Sequence, residues 1–109
     1  MPIELPVLQE LRMDLRPPDV ADGVATAALV ADPTRAGILA MLRGGPHCVC
    51  EMAAALGERQ NNVSNHLARL RDAGLVRVSR APADGRRAYY ERDEAACAAA
   101  VATLREILR

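Results

Sequence analysis

The chain has 109 residues, half of them apolar, with 14 acidic side chains balancing 14 arginines and no lysine at all. That length makes one domain with a modest core. No run reaches the ~18 consecutive apolar residues of a membrane span, and Glu4, Glu10 and Asp14 near the start do not make a secretory signal, so a cytoplasmic protein with no membrane partner is expected. Three cysteines, an odd number for a reducing compartment, favour thiol chemistry or packing over a disulfide framework.

Zero net charge hides an asymmetry. Residues 59–92 hold eight arginines against Asp72, Asp84 and Glu91, a balance of +5, while residues 1–58 stand at −4 and residues 93–109 at −1. A basic segment in a neutral chain points to a polyanion met by one face. Its cations are all guanidinium groups, suited to bidentate phosphate contact.

Residues 1–18 form an N-terminal arm. Leu5, Leu8, Leu11 and Leu15 are spaced for a short amphipathic helix, but Pro2, Pro6 and Pro17-Pro18 impose boundaries; an arm packed on a dimer and a frayed tail are both open here. The domain proper spans residues 19–109. Asp19 to Ala31 reads as a helix with Val20, Val24, Ala27 and Val30 or Ala31 inward. Asp32 then caps a second helix that has Pro33 at its first position, buries Ile38, Leu39 and Leu42, and stops at Gly44-Gly45-Pro46. Arg35 near its start could meet a phosphate or form a surface ion pair.

From Glu51 to Val78 the pattern is helix, tight turn, longer helix and strand. Met52, Ala53 and Leu56 fall at helical spacing, Gly57 ends them, and Gly57-Glu58-Arg59 has the length of a helix-turn-helix turn. The following helix, about Gln60 to Ala73, buries Val63, Leu67 and Leu70 at i, i+4, i+7. Its other face carries Gln60, Asn61, Asn62, Ser64, Asn65, His66 and Arg69, the amide, hydroxyl, imidazole and guanidinium groups that hydrogen-bond base edges and phosphates in a major groove. Gly74 supplies a left-handed C-cap.

Leu75 to Arg80 alternates apolar and polar, residues 81–85 end in the Asp84-Gly85 hairpin signal, and Arg86 to Glu91 is the return strand. This hairpin brings Arg80, Arg86 and Arg87 to phosphates beside the groove; alternation turns one of Tyr89 and Tyr90 inward and the other outward. A last helix capped by Asp93 carries Cys97, Val101, Leu104 and Leu108 as a coiled-coil-like seam, which pairs with the first helix and with a symmetry mate. The fold class expected is mainly α with a small β-hairpin, a homodimeric winged helix-turn-helix bound to double-stranded DNA. Two serines and two histidines form no nucleophile–base pair and there is no phosphate-binding glycine loop, so the chain is not read as an enzyme. RNA is not expected as a partner, because there is no aromatic platform for unpaired bases.

Val63-Ser64-Asn65-His66-Leu67-Ala68-Arg69-Leu70, followed by Asp72-Ala73-Gly74-Leu75-Val76, resembles the recognition helix of the ArsR/SmtB metal-responsive repressors, as does Asp32-Pro33-Thr34-Arg35 leading into Ile38-Leu39. The likeness runs over about residues 20–108. His47-Cys48-Val49-Cys50-Glu51-Met52 is similar to the thiol pair of arsenic- and cadmium-sensing members. The resemblance implies a repressor that leaves its operator when As(III) or another thiophilic ion binds Cys48 and Cys50; Cd(II) or Pb(II) sensing and cysteine oxidation are the alternatives. Where arsenic sensors often carry a third cysteine this chain has Ala53, and the arm has no thiol, which leaves Cys97, His47, an arm carboxylate or an external thiol as third ligand.

Soft thiolates suit such ions rather than Mg(II) or Ca(II), and a helix start lowers a thiol pKa. Two residues apart in a helix, however, point about 200° away from each other, so one ion bridges both sulfurs only where the helix start departs from ideal geometry.

Overall fold

The computed structural model describes residues 17–79 and 87–109. The arm with its leucine spacing, Arg80, the turn at 81–85 and Arg86 lie outside the described residues. Within the described residues, five helices and three short strands follow in the order α1 (Pro17–Val30), α2 (Pro33–Leu42), β1 (His47–Cys48), α3 (Val49–Leu56), α4 (Gln60–Asp72), β2 (Val76–Val78), β3 (Tyr89–Arg92) and α5 (Glu94–Leu108). This is a winged helix-turn-helix, mostly α with a small antiparallel sheet. Among the described residues no single helix is long and apolar enough to cross a membrane.

The local signals act as the residues dictate. The Asp32 carboxylate accepts from the Thr34 and Arg35 backbone N–H groups at 2.9 and 3.0 Å, with Pro33 in the first turn where no N–H is needed. Gly57 closes α3 at φ +67° and Gly74 follows α4 at φ +80°, a region that costs other residues about 1–2 kcal/mol. Asp93 caps α5 through the Ala96 N–H at 2.9 Å.

The core lies where the three central helices meet the sheet. Ile38 and Leu42 of α2, Met52 and Ala53 of α3, Val63, Leu67 and Leu70 of α4, and Leu75 and Val76 are buried together. Each large aliphatic side chain among them stabilises the fold by about 1.5–3 kcal/mol relative to exposure. A Cβ on Gly37 would lie 2.7 Å from Leu56 Cδ2, so α2 and α3 are in close contact there.

Three features depart from the sequence reading. First, the sheet has three strands in the order β1-β3-β2: His47 pairs with Tyr90 and Cys48 with Tyr89, beside the expected wing pairs Val76 with Arg92, Arg77 with Glu91 and Val78 with Tyr90. A two-residue strand has no periodicity to betray it. Second, the return strand starts at Tyr89, with Arg87 and Ala88 outside it. Both tyrosines are half-buried; Tyr90 packs on the core.

Third, α1 turns a different face inward. Gly23 is buried, while Val20 and Val24 are exposed, Val24 by 60%. A Cβ on Gly23 would collide with Ile107 Cδ1 of α5. The α1–α5 crossing therefore selects the smallest residue for its contact line and leaves the valines flanking it exposed. Val101 and Leu108 of the seam are also exposed, and with Val20 and Val24 they leave apolar surface on both terminal helices.

Leu70→Ala should lower stability by about 2–5 kcal/mol, the cost of a large-to-small change in a closed core, read as a urea midpoint shift at constant slope. The Asp32 carboxyl is held below its ordinary pKa, first by the Arg35 backbone N–H and further by the Arg35 guanidinium and the Thr34 backbone N–H. A depressed carboxyl pKa stabilises above the unfolded value and loses that stabilisation as pH falls through the folded one. Asp32→Asn should accordingly flatten the acid limb of the stability–pH curve below about pH 4, the ordinary aspartate range.

Candidate nucleic-acid interface and thiol site

With Val63, Leu67 and Leu70 fixed in the core, α4 turns Gln60, Asn61, Ser64, Asn65 and Arg69 to the surface, and Arg59 precedes them at the N-cap. These side chains can reach an object laid along the helix. Two other residues of the sequence-derived face have partners within the fold. Asn62 Nδ2 donates to Glu58 Oε2 at 2.8 Å, and Glu58 Oε1 accepts from Thr34 Oγ1 at 3.1 Å. His66, with 18% of its side chain exposed, lies 3.1 Å through Nδ1 from Arg35 Nη1 and 4.0 Å from Asp32 Oδ1. A guanidinium only donates, so His66 Nδ1 is the accepting nitrogen.

Arg35 also donates through Nε to the Leu29 carbonyl at the end of α1. It thus links α1, α2 and α4 rather than standing free for a phosphate. Glu58 is a clamp that sequence reasoning missed, and Arg35, read there as a phosphate contact or a surface ion pair, is a second. The only available signal was an acid one residue past the helix-ending glycine.

Arg77 is held by Glu91 at 2.9 Å and Asp93 at 3.1 Å, and Arg92 by Glu94 at 3.2 Å and the Leu39 carbonyl at 3.2 Å. Arg71 lies over the Tyr90 ring at 6.0 Å. Arg59, Arg69 and Arg87 are exposed on α4 and the wing.

Cys48 ends β1 and is at the same time the N-cap of α3, with extended backbone at φ −88° and ψ 166°. It is therefore not helical, and the 200° separation expected for two helical residues does not apply. The Cys48 and Cys50 sulfurs are 2.6 Å apart as free thiols. The Cys48 N–H donates to Glu51 Oε1 at 2.9 Å, and His47 Nδ1 lies 3.5 Å from the same oxygen.

Burial pushes the Cys48 thiol pKa up, and the hydrogen bond with Cys50 adds to the rise. The expected lowering by the helix start is overturned at Cys48, because desolvation of a buried thiolate outweighs the helix end. An open cleft of about 340 Å³ adjoins the pair, lined by Cys48, Val49, Cys50, Gln60, Arg87, Ala88 and Tyr90. Cys97 is elsewhere: its thiol points to the Leu75 carbonyl at 3.8 Å, packs on the core and has a pKa raised by burial. Among the described residues no group of three or more His, Cys, Asp or Glu side chains is arranged to hold a metal ion.

Residues 32–78 match the model of bacterial regulatory proteins of the arsR family. The chain is 45% identical over 49 residues to the arsenical resistance operon repressor of Escherichia coli K12, covering 44% of this chain and 42% of that protein. It spans between 40% and 59% of the length of such curated relatives. A solved structure described as a possible transcriptional regulator for arsenical resistance is 32% identical, with a TM-score of 0.59 over 74% of this chain and 77% of that one. Lactococcus lactis ZitR in complex with DNA superposes with a TM-score of 0.52 at 25% identity, over 67% of this chain and 50% of that one. By this match across the helix-turn-helix, and by the winged fold that carries it, the chain belongs to the arsR family of bacterial regulatory proteins.

Proposed function

We propose that the chain is a cytoplasmic transcriptional repressor, not an enzyme, that grips double-stranded operator DNA as a homodimer and leaves it when As(III) binds Cys48 and Cys50. The observation that carries this reading is the position of the thiols between the two elements that would touch DNA. Cys48 pairs with Tyr89 at the base of the wing. The cleft beside both sulfurs is bounded by Gln60, the first residue of α4, and by Arg87 and Ala88 next to β3. An occupant of that cleft bears on helix and wing together.

An α-helix fits the ~12 Å major groove. Gln60, Asn61, Ser64 and Asn65 meet base edges there, with Arg59, Arg69, Arg86 and Arg87 on flanking phosphates. Asn62 and His66 hold α4 against the preceding turn and α2. Two copies joined through the outer face of α1 and α5 present their helices to half-sites about 34–36 Å apart.

The thiol pair suits a soft ion. Two bonds of about 2.3 Å meeting near the tetrahedral angle place their sulfurs roughly 3.5–3.8 Å apart. The pair reaches that span from 2.6 Å by rotation of the thiols. Capture at an N-cap displaces the strand that ends there and the helix that starts there, and a coupling of about 1–3 kcal/mol gives a 5- to 150-fold response. Cd(II) and Pb(II) share the preference for thiolate and belong in the same titration.

The short sulfur–sulfur approach favours a second reading, a redox sensor that oxidises Cys48 and Cys50 together. The raised Cys48 pKa opposes it, since thiolate is the form that attacks a peroxide. Operator release by peroxide, with no response to arsenite, would establish that reading.

Cys48→Ser and Cys50→Ser should bind operator like the parent, measured by fluorescence anisotropy, and stay bound in arsenite. Release of the double variant at the parent's arsenite concentration would end the proposal. Cd(II) or Pb(II) capture expels the proton held by a thiol of raised pKa, so affinity for those ions should climb with pH, by about tenfold per unit for Cys48 alone, whereas arsenous acid carries the proton off as water and its affinity should stay level near neutral pH.

Ser64→Ala or Asn65→Ala should cost about 1–3 kcal/mol at the operator and far less on unrelated DNA. Arg86→Ala should weaken both alike and reduce the salt slope by about one unit. An unchanged slope would separate Arg86 from phosphate.

The dimer has its own test. Leu104→Glu places a charge on the α5 seam and should give a monomer with weak operator binding by sedimentation and anisotropy. A fully active dimeric variant would move the interface elsewhere.

A further inference from the structure

Along α5 the run Cys97-Ala98-Ala99-Ala100 offers only small side chains, and where this helix crosses α1 and α2 the packing leaves a gap. Cys97, Ala100 and Leu104 of α5, Thr26 and Val30 of α1 and Leu39 of α2 surround it, with Arg92 of β3 also in the wall. The gap holds about 160 Å³ and is walled almost wholly by apolar atoms. A void of about 150 Å³ with apolar walls stays dry and takes up benzene, because an unfilled void forfeits the dispersion contacts its lining would otherwise make.

Arg92 gives the cavity a chemical preference. Its Nη1 donates to the Leu39 carbonyl and its Nη2 pairs with Glu94, each at 3.2 Å. Its Nε is buried without a hydrogen-bond partner, the one buried side-chain nitrogen or oxygen in that state among the described residues. Cys97 is its neighbour: burial raises the thiol pKa, and the Arg92 charge draws it partly back. A charged ligand suits this space poorly, since it would give up its hydration to apolar walls and Arg92 already carries Glu94. An aromatic ring suits both groups. Its electron-rich face attracts a guanidinium and accepts a weak N–H bond, and sulfur packs favourably against it. The aromatic side chains of this protein are Tyr89 and Tyr90, and neither lines the cavity.

We infer that this cavity is a second binding site, separate from the thiol pair, for a small uncharged molecule built on one aromatic ring, seated between α1, α2 and α5 with Arg92 and Cys97 against it. Its chemistry is independent of the roles of Cys48 and Cys50.

The test titrates the full chain with benzene and, as saturated rings of similar size, with cyclopentane and cyclohexane. Benzene should saturate at one molecule per chain by calorimetry, with methyl chemical-shift changes centred on Val30, Leu39 and Leu104. It should bind about fivefold more tightly than either saturated ring, the contribution of one partly desolvated cation–π contact. Arg92→Met keeps an unbranched stem without the charge and should bring the three rings level. Ala100→Leu fills the cavity and should abolish binding; Ala100→Val, a smaller insertion, should weaken it, and circular dichroism checks that each variant is folded. Absence of saturable binding, equal affinity for all three rings in the parent chain, or undiminished binding by a folded Ala100 variant would overturn the inference. So would a crystal of the protein in which side chains of a second copy fill the cavity.

Discussion

The burial of Val63, Leu67 and Leu70 against Ile38 and Met52 is the constraint on which the rest depends. One helical stripe fixes the rotation of α4 about its axis, and that rotation decides which side chains face outward. At about 1.5–3 kcal/mol for each large side chain, the stripe is a substantial part of the 5–15 kcal/mol by which small domains are stable. It does not by itself fix the tilt of the helix. That falls to contacts near its start, where Glu58 joins Thr34 to Asn62 and Arg35 joins Leu29 to His66. Apolar packing sets the face, and the polar clamps set the aim.

The second dependence runs through Cys48. The same residue ends β1, caps α3 and offers a thiol. Its backbone is held on two sides, by the pairing with Tyr89 and by the Glu51 carboxylate. A displacement of Cys48 therefore cannot stay local: it loosens either the strand next to the wing or the first turn of the helix before α4. A junction shared by strand and helix in this way is the kind of element that an effector would bias to act at a distance.

How much of this was legible in the sequence follows from which interactions leave a periodic trace. The helix-turn-helix was readable because Met52, Val63, Leu67 and Leu70 repeat at helical spacing and Gly57 and Gly74 mark the ends. The Asp32 and Asp93 caps were readable because a short side chain before a helix has few other uses. The strand β1 was not, since two residues carry no alternation and their partners lie more than forty positions away. The inward face of α1 was misread because size stood in for burial: Gly23 fits the α5 crossing where Val24 would not. Asn62 and His66 looked identical to their neighbours in a list of polar residues; only the placement of Glu58 and Arg35 distinguishes them. The Cys48 pKa was misjudged in direction because the sequence shows a helix start but not how deeply its thiol is buried.

Charge and apolar surface complete the division of the molecule into two sides. A neutral chain offers little long-range attraction to a polyanion, so its distribution must compensate. Arg77 and Arg92 are matched by Glu91, Asp93 and Glu94 at the sheet edge that leads into α5, which keeps that edge near neutrality. The exposed guanidinium groups of Arg59, Arg69 and Arg87 stay with α4 and the wing. The exposed Val20, Val24, Val101 and Leu108 belong to α1 and α5, outside that basic set. The acidic pairing of Arg77 and Arg92 thereby neutralises the sheet edge locally, while the arginines of α4 and the wing keep exposed positive charge.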